Sequence, residues 1–582
     1  MPAMPVRTVR AALSRLDTDF SAFAYSFNRG EYALWLGSGI SRDRVPNVGK
    51  LLERVLEHLR SKVDPHSPDC EYLDALNEVL RLSNLSSAER DSIDLSVGVK
   101  EWVLRERIVS SLVGNYSKVL DVPVGDSGPD DYLVWTALNV ADTYGDPGLE
   151  PDVEHYGLAV IALEGLTPSI VTANWDGLLE KALNELTPSY NSRVKVAVRT
   201  QDLRGTAPIS LIKFHGCAVL ARQDQSSYRE LLIARESQIS GWTAQQGHSL
   251  MRNHLELLYS ENPTLMIGLS AQDANLHTVF ATAINHLEYQ WPATPPALVL
   301  SEEKLEAHHR NVLSLTYASN YSNHRAAIND SALLGSFAKT TILALLLAAI
   351  TEKTDWLIEE TLGDMWESTE ISSLRGDLQH LRNVVADLAN PTSVSPDDIV
   401  AHQRDFVRQL IDSVNFALSS FRSGQLLQTS DLRYEPLSSG PIHSSALNAD
   451  FPSAQYGRLG VALSLVGRGM ARGQWLALPG SSTNVKQGAA RLSAKGRSTR
   501  LFFVRDAATL MRMQLDPMFD EDEASTLVVV ADKEPLGFTR SPRAKYGRSG
   551  AAARGRFNVE TALAETSSAD DLFEAFELAG GF

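Results

Sequence analysis

The sequence predicts an α/β protein with a mostly parallel, Rossmann-like sheet. Two observations point there: through the first 330 residues, apolar runs of strand length alternate with stretches of helical periodicity, and four of those runs end in polar or glycine-rich turns. A third extends the picture: after a long, purely helical interval, short apolar runs return near the C-terminus. At 582 residues the chain exceeds what one core organises. The expected division is an α/β unit with a helical insertion over residues 1–330, a helical connector over 331–424 and a smaller α/β unit over 425–582.

In chain order, residues 9–28 read as one helix and 31–36 as a buried strand that glycines then break. After Gly37-Ser38-Gly39, the apolar positions Val48, Leu51, Leu52, Val55, Leu56 and Leu59 have helical spacing, which gives strand, glycine turn, helix. Polar and helical stretches to about residue 113 form the expected insertion. A helix over 156–164 leads to a strand at 169–172, a polar turn Ala173-Asn174-Trp175-Asp176 and a helix over 177–186. Further strands are expected at 194–198, 210–214, 231–233, 264–269, 297–300 and 312–316. Only helical periodicity follows over 333–421, and the last apolar runs are 474–478, 500–504 and 525–531.

Composition narrows the function classes. A hydrophobic share of 43% and a charged share of 21% are those of a globular chain able to bury large cores. The apolar run 342–350 is too short to span a bilayer, and the first ten residues lack an apolar signal region, so a cytoplasmic protein without a membrane partner is expected. A net charge of −17 argues against a nonspecific grip on DNA phosphates. Local patches stay open, chiefly Arg543, Lys545, Arg548, Arg554 and Arg556, although a solvated loop is the commoner reading of such a run. Two cysteines, Cys70 and Cys217, are too few for a zinc site built on three or four thiolates.

The chemistry gathers at strand ends, where sheets of this kind bind ligands. Gly37-Ser38-Gly39 would let backbone approach a pyrophosphate, but Arg42 breaks G-x-G-x-x-G, and a plain strand-to-helix turn fits equally well. Asn174 and Asp176 end another strand; helix capping explains one of them, not both. His215 ends a third, where a lone histidine is more often structural, although its pKa range suits proton exchange at neutral pH. Gly268-Leu269-Ser270 ends a fourth, and Asp273 follows as an ordinary loop carboxylate or a ligand group.

The order of these four strand ends resembles the sirtuin superfamily over about residues 32–316, and more closely its bacterial branch of NAD-hydrolysing antiphage effectors. The resemblance implies that Gly37, Ser38, Gly39 and Ser41 hold phosphate, and that Gly268 and Ser270 underlie the adenosine half. It further implies that Asn174 and Asp176 flank the nicotinamide ribose, that His215 is the active-site histidine, and that Asp273 is an acidic position of the bacterial branch. Two departures count against lysine deacylation: Val45-Pro46-Asn47 keeps only the proline of the deacylases' Pro-x-Phe-Arg segment, and the four-cysteine zinc module has only Cys217 near its place.

The expected activity is therefore cleavage of the nicotinamide–ribose bond of NAD to nicotinamide and ADP-ribose, with NAD as substrate, no zinc, and Asn174, His215 and Asp176 as the catalytic set. The alternatives are a subunit that binds NAD or ADP-ribose without turnover, and a protein ADP-ribosyltransferase. A chain that destroys NAD must be held in check. The resemblance implies a homo-oligomer and a partner, a HerA-type hexameric ATPase or else a short Argonaute-like protein.

Overall fold

The computed structural model describes residues 8–582 apart from 65, 68, 168, 243, 285–288, 396–397, 427, 430, 444–447, 449, 495, 520–524 and 534–554. Its first sheet has six strands, β1 (Ala33–Leu36), β2 (Ser169–Thr172), β3 (Val194–Ala197), β4 (Ile209–Lys213), β5 (Thr264–Ile267) and β6 (Leu298–Ser301), in the order β3-β4-β2-β1-β5-β6. Every pairing in it is parallel. The strands β1, β5 and β6 are buried along their whole length because helices cover both faces, which is why they read as unbroken apolar runs rather than alternating ones.

This order puts the turn-around of the topology at β1. The chain leaves β1 towards β2, β4 and β3 on one side and, after β4, crosses to β5 and β6 on the other. The loops after β1 and β5 therefore depart in opposite directions from neighbouring strands, and a crevice opens at such a switch point. More than a hundred residues of mainly helical chain separate β1 from β2, beginning with the helix Val48–Lys62, and these build a core of their own around Leu56, Leu76 and Ile108.

Two expected strands are helix or turn. Residues 312–316 lie inside the long helix Ala307–Ala332, where Val312, Leu313, Thr316 and Tyr317 bury one face; their spacing satisfies a helix as well as a strand. Leu231 ends the 3-10 turn Arg229–Leu231, and the Ile233 amide bonds the carbonyl of His215 without joining the sheet. The expected first helix is two, Val9–Asp17 and Ser21–Asn28, broken at Thr18.

The second sheet has five strands, β7 (Leu476–Pro479), β8 (Ala490–Ala494), β9 (Arg497–Val504), β10 (Ser525–Val530) and β11 (Arg556–Asn558), in the order β11-β10-β9-β8-β7. β7, β8 and β9 pair antiparallel, and β9, β10 and β11 parallel. Arg556 opens β11; Arg543, Lys545, Arg548 and Arg554 lie outside the described residues.

Between the sheets run the helices Ala338–Leu362, Ser368–Leu388 and Ile399–Ser423. The first is shared: Ile342 to Ala349 pack into the core beneath the six-stranded sheet, whereas Leu357, Ile358 and Leu362 pack into the core of the second. Lys353 sits between them, and its buried ammonium meets the Glu164 carboxylate at 2.6 Å. No described helix is long and apolar enough to cross a membrane.

Candidate active site

The glycine turn is built by contact between two loops. A Cβ on Gly37 would stand 2.4 Å from the Gly268 carbonyl oxygen, and one on Gly39 2.6 Å from the Gly268 Cα, so neither position admits a side chain. Gly268 itself has φ of +61°, which favours glycine. The amides of Gly37 and Gly39 donate to the carbonyls of Ile267 and Gly268, and that of Ile40 to Gly37. Ser38 alone among these has no amide partner among the described residues, and it is exposed.

Here the structure corrects an expectation. The turn does not open directly onto a helix: Ser38–Ser41 is a short 3-10 turn, and the helix Val48–Lys62 begins later, its N-terminus capped by the Asn47 side chain on the Lys50 amide. Any anion at this turn would meet amides of the 3-10 turn, not a free helix end.

Ser41 points inward with no exposed surface. Its Oγ lies 3.1 Å from His155 Nε2 and accepts from Asn174 Nδ2 at 3.3 Å. His155 Nδ1 accepts the Asp152 amide at 3.1 Å, so the neutral ring carries its proton on Nε2 and donates to Ser41. Burial pushes the His155 pKa down to about 4, which keeps the ring neutral. Asn174 thus has its amide nitrogen engaged, while its Oδ1 is buried with no hydrogen-bond partner.

His215 forms a second group. The register pairs Thr172 with Lys213 on adjacent strands, so Asn174 and His215, each two residues further on, leave the sheet side by side at the same level. The amide nitrogen of Asn275 lies 2.9 Å from His215 Nε2, and the Asn275 oxygen is fixed by accepting the Leu276 amide at 2.9 Å. Nε2 is therefore an acceptor and the neutral ring carries its proton on Nδ1. Burial lowers the His215 pKa against the opposing pull of Asp273. Asp273 accepts from the Tyr116 hydroxyl at 2.6 Å, and burial with this carboxylate raises the Tyr116 pKa.

Asp176 accepts the Leu178 amide at 3.2 Å and so caps the helix Leu178–Leu186, while Lys213 donates to its carbonyl and to Glu180 at 2.7 Å. Ser270 is exposed in the loop after β5. The candidate residues thus divide into a Ser41–His155–Asn174 group and a His215–Asn275–Asp273–Tyr116 group, with no hydrogen bond between Asn174 and His215 themselves. Ser41, His155, Asn174, His215 and Asn275 each expose less than a tenth of their surface, whereas Ser38 and Ser270 in the flanking loops are exposed. A cavity of about 460 Å³ lies elsewhere, lined by Asn28, Glu352, Asp355, Arg375 and Arg382 among others.

His155, Asn275 and Tyr116 were not singled out from the sequence. Asn275 stands two residues after Asp273, a spacing that puts both at one helix start; His155 gave the weaker signal of Asp152 three residues before it in a capping box.

Residues 168–322 match the family model of the SIR2-like domain. This chain carries a sirtuin-like domain. The matched stretch supplies β2 to β6 with Asn174, His215, Gly268 and Asn275, and β1 with the Gly37 turn pairs between two of its strands. No curated protein matches the chain. A sirtuin-like domain is associated with NAD chemistry, which makes NAD the ligand to consider here.

Proposed function

We propose that this protein hydrolyses NAD to nicotinamide and ADP-ribose, with the strand-end residues Asn174 and His215 acting on the nicotinamide ribose. The observation that carries this reading is the Asn174 amide: a buried carbonyl oxygen without a partner costs roughly 1–3 kcal/mol and persists where a ligand group or water completes it. It lies beside the glycine turn and one strand from His215.

In the reaction the C1′–N bond breaks with its electron pair passing to the nicotinamide ring nitrogen, water oxygen bonds C1′, and the water's proton is released to solvent. The positive charge that builds on the ribose needs polar groups fixed in advance. Asn174 Oδ1 is placed to accept from the attacking water or a ribose hydroxyl. With Nε2 occupied by Asn275, His215 acts as a donor through Nδ1–H to a ribose oxygen rather than as the base. Asp176 holds the turn that carries Asn174. The Gly37–Ser41 turn would face the pyrophosphate through the Ser38 amide, with Gly268 and Ser270 on the adenosine side and Asp273 beside His215.

The burial of the site residues supports a regulated enzyme, in keeping with an antiphage effector that stays silent until a homo-oligomer forms or a partner engages it, whether a HerA-type ATPase or a short Argonaute-like protein. The same packing also fits a subunit that holds NAD without turnover. Incubation of the assembled protein with NAD separates the two: nicotinamide and ADP-ribose should accumulate, and Asn174→Ala or His215→Ala should each lower the rate by about 10²-fold or more with the melting temperature retained. Undiminished hydrolysis in both variants refutes the assignment.

A further inference from the structure

The helices that join the two sheets reach the proposed site through an unbroken line of hydrogen bonds. On the helix Ile399–Ser423, Arg404 holds the Asp152 carboxylate with Nε at 3.1 Å and a terminal nitrogen at 3.2 Å. Asp152, 1% exposed, caps the helix Val153–Leu163 by accepting the Val153 amide at 2.8 Å. Its own amide fixes His155, His155 fixes Ser41, and Ser41 fixes Asn174. Lys339, on the helix Ala338–Leu362, reinforces the line by pairing with Asp43, two residues past Ser41, and by standing 3.9 Å from Asp152.

Each link is directional. His155 has one nitrogen for the Asp152 backbone amide and one for Ser41, so a shift of the Asp152 backbone, whose carboxylate Arg404 and the Val153 amide hold, turns the ring, and the Ser41 hydroxyl follows. The Asn174 amide can meet substrate only in the orientation that Ser41 allows, because its nitrogen is committed there and its oxygen points the other way. Hydrogen-bonded chains of this kind, with each inner link buried, have few alternative arrangements. Both helices that hold the line also belong to the core of the second sheet, Leu357 and Leu362 through one and Phe416 and Phe421 through the other.

We propose that His155 is a positioning residue for Asn174, and that Arg404, through Asp152, makes the joining helices the regulatory element of the site. A partner that shifts those helices would turn Asn174 into or out of register with the ribose without touching NAD. The proposal rests on the hydrolase reading for its consequence in turnover, but not for its structural content.

The test uses the full chain in four forms besides wild type. His155→Asn keeps an acceptor for the Asp152 amide but falls short of Ser41; His155→Gln can place an amide nitrogen where Nε2 stands and donate to Ser41. Arg404→Ala cuts the line at its outer end, and Arg404→Ala combined with His155→Asn cuts it twice. Hydrogen exchange over residues 39–44 and 172–177 reads the loops directly, and steady-state nicotinamide release reads their effect. Arg404→Ala and His155→Asn should each speed exchange in both segments and lower kcat about 10- to 100-fold at unchanged KM, the scale of a small misplacement of a reacting group. The double variant should be no worse than His155→Asn alone, as for steps in series, and His155→Gln, which restores the donor to Ser41 but not the acceptor for the Asp152 amide, should recover only part of the loss. Wild-type exchange in both single variants overturns the proposal, as do effects that simply multiply in the double variant. If the assembled wild type releases no nicotinamide while the loops still loosen together, the hydrolase reading fails and the positioning line stands.

Discussion

Replacing Gly37 by alanine isolates the packing on which the glycine turn depends. The φ of Gly37 is −125°, a conformation alanine adopts freely, so the whole cost is steric. The new Cβ would stand 2.4 Å from the Gly268 oxygen and 2.5 Å from the Leu269 Cα, both backbone atoms of a loop that must retreat by about 1 Å to restore ordinary contact. That retreat stretches the Gly37-to-Ile267 and Gly39-to-Gly268 hydrogen bonds, now 3.1 and 3.0 Å. Overpacking of this size costs roughly 1–3 kcal/mol and a lost backbone bond about 1 kcal/mol. The sum, ~2–4 kcal/mol, corresponds to a melting temperature lower by on the order of 3–6 °C for a unit of this size. Gly205→Ala is the control: its φ is +82° with nothing within 4 Å, so only the conformational cost of about 1 kcal/mol applies. Melting curves with and without NAD should show Gly37→Ala destabilised beyond Gly205→Ala and no longer stabilised by NAD. A Gly37→Ala protein that melts like wild type and keeps its response to NAD would refute the argument that the two loops form one tight cradle.

Three further outcomes are expected. Asn275→Ala should cut nicotinamide release by about tenfold or more while leaving NAD affinity nearly unchanged, since it frees His215 Nε2 without removing the ring; an unchanged kcat contradicts the donor role assigned to Nδ1. Lys353→Met should cost about 3–5 kcal/mol by leaving the buried Glu164 carboxylate with only Tyr434 and the Leu437 amide, and equal melting of variant and wild type would speak against the pair as the joint between the sheets. Burial pushes the Glu154 carboxyl up to about 8, with Lys339 pulling the other way. Because that folded value lies above the unfolded one of 4.5, the unfolded state sheds its proton first, and stability should fall as pH rises from about 4.5 to 8, by at most ~1.4 kcal/mol per unit. Glu154→Gln should flatten that slope in melting curves taken from pH 5 to 8; an identical slope in both proteins would assign it to other groups.

What the sequence made legible follows from what its patterns encode. Runs such as 169–172 and 264–267 are short, apolar and bounded by turns, and a parallel sheet buried on both faces demands that. Residues 312–316 have the same local composition, but only the surrounding helix decides their state, and Val312, Leu313 and Thr316 serve it equally well. β8 (Ala490–Ala494) and β11 (Arg556–Asn558) escaped notice because polar and small residues dominate them and their pairing partners supply the apolar face. At the site, Gly37, Asn174 and His215 stood out as rare residue types at strand ends. His155 and Asn275 did not, because their importance lies in contacts 114 and 60 residues distant along the chain, with Ser41 and His215. Tertiary proximity of that kind leaves no periodicity to read.

A structure of the protein with ADP-ribose bound tests the account most directly. The pyrophosphate should lie against the Gly37–Ser41 turn, within hydrogen-bond distance of the Ser38 amide, and the terminal ribose between Asn174 Oδ1 and His215 Nδ1. Ligand bound elsewhere on the molecule, with the Gly37 turn and the strand ends still packed on one another, would contradict it.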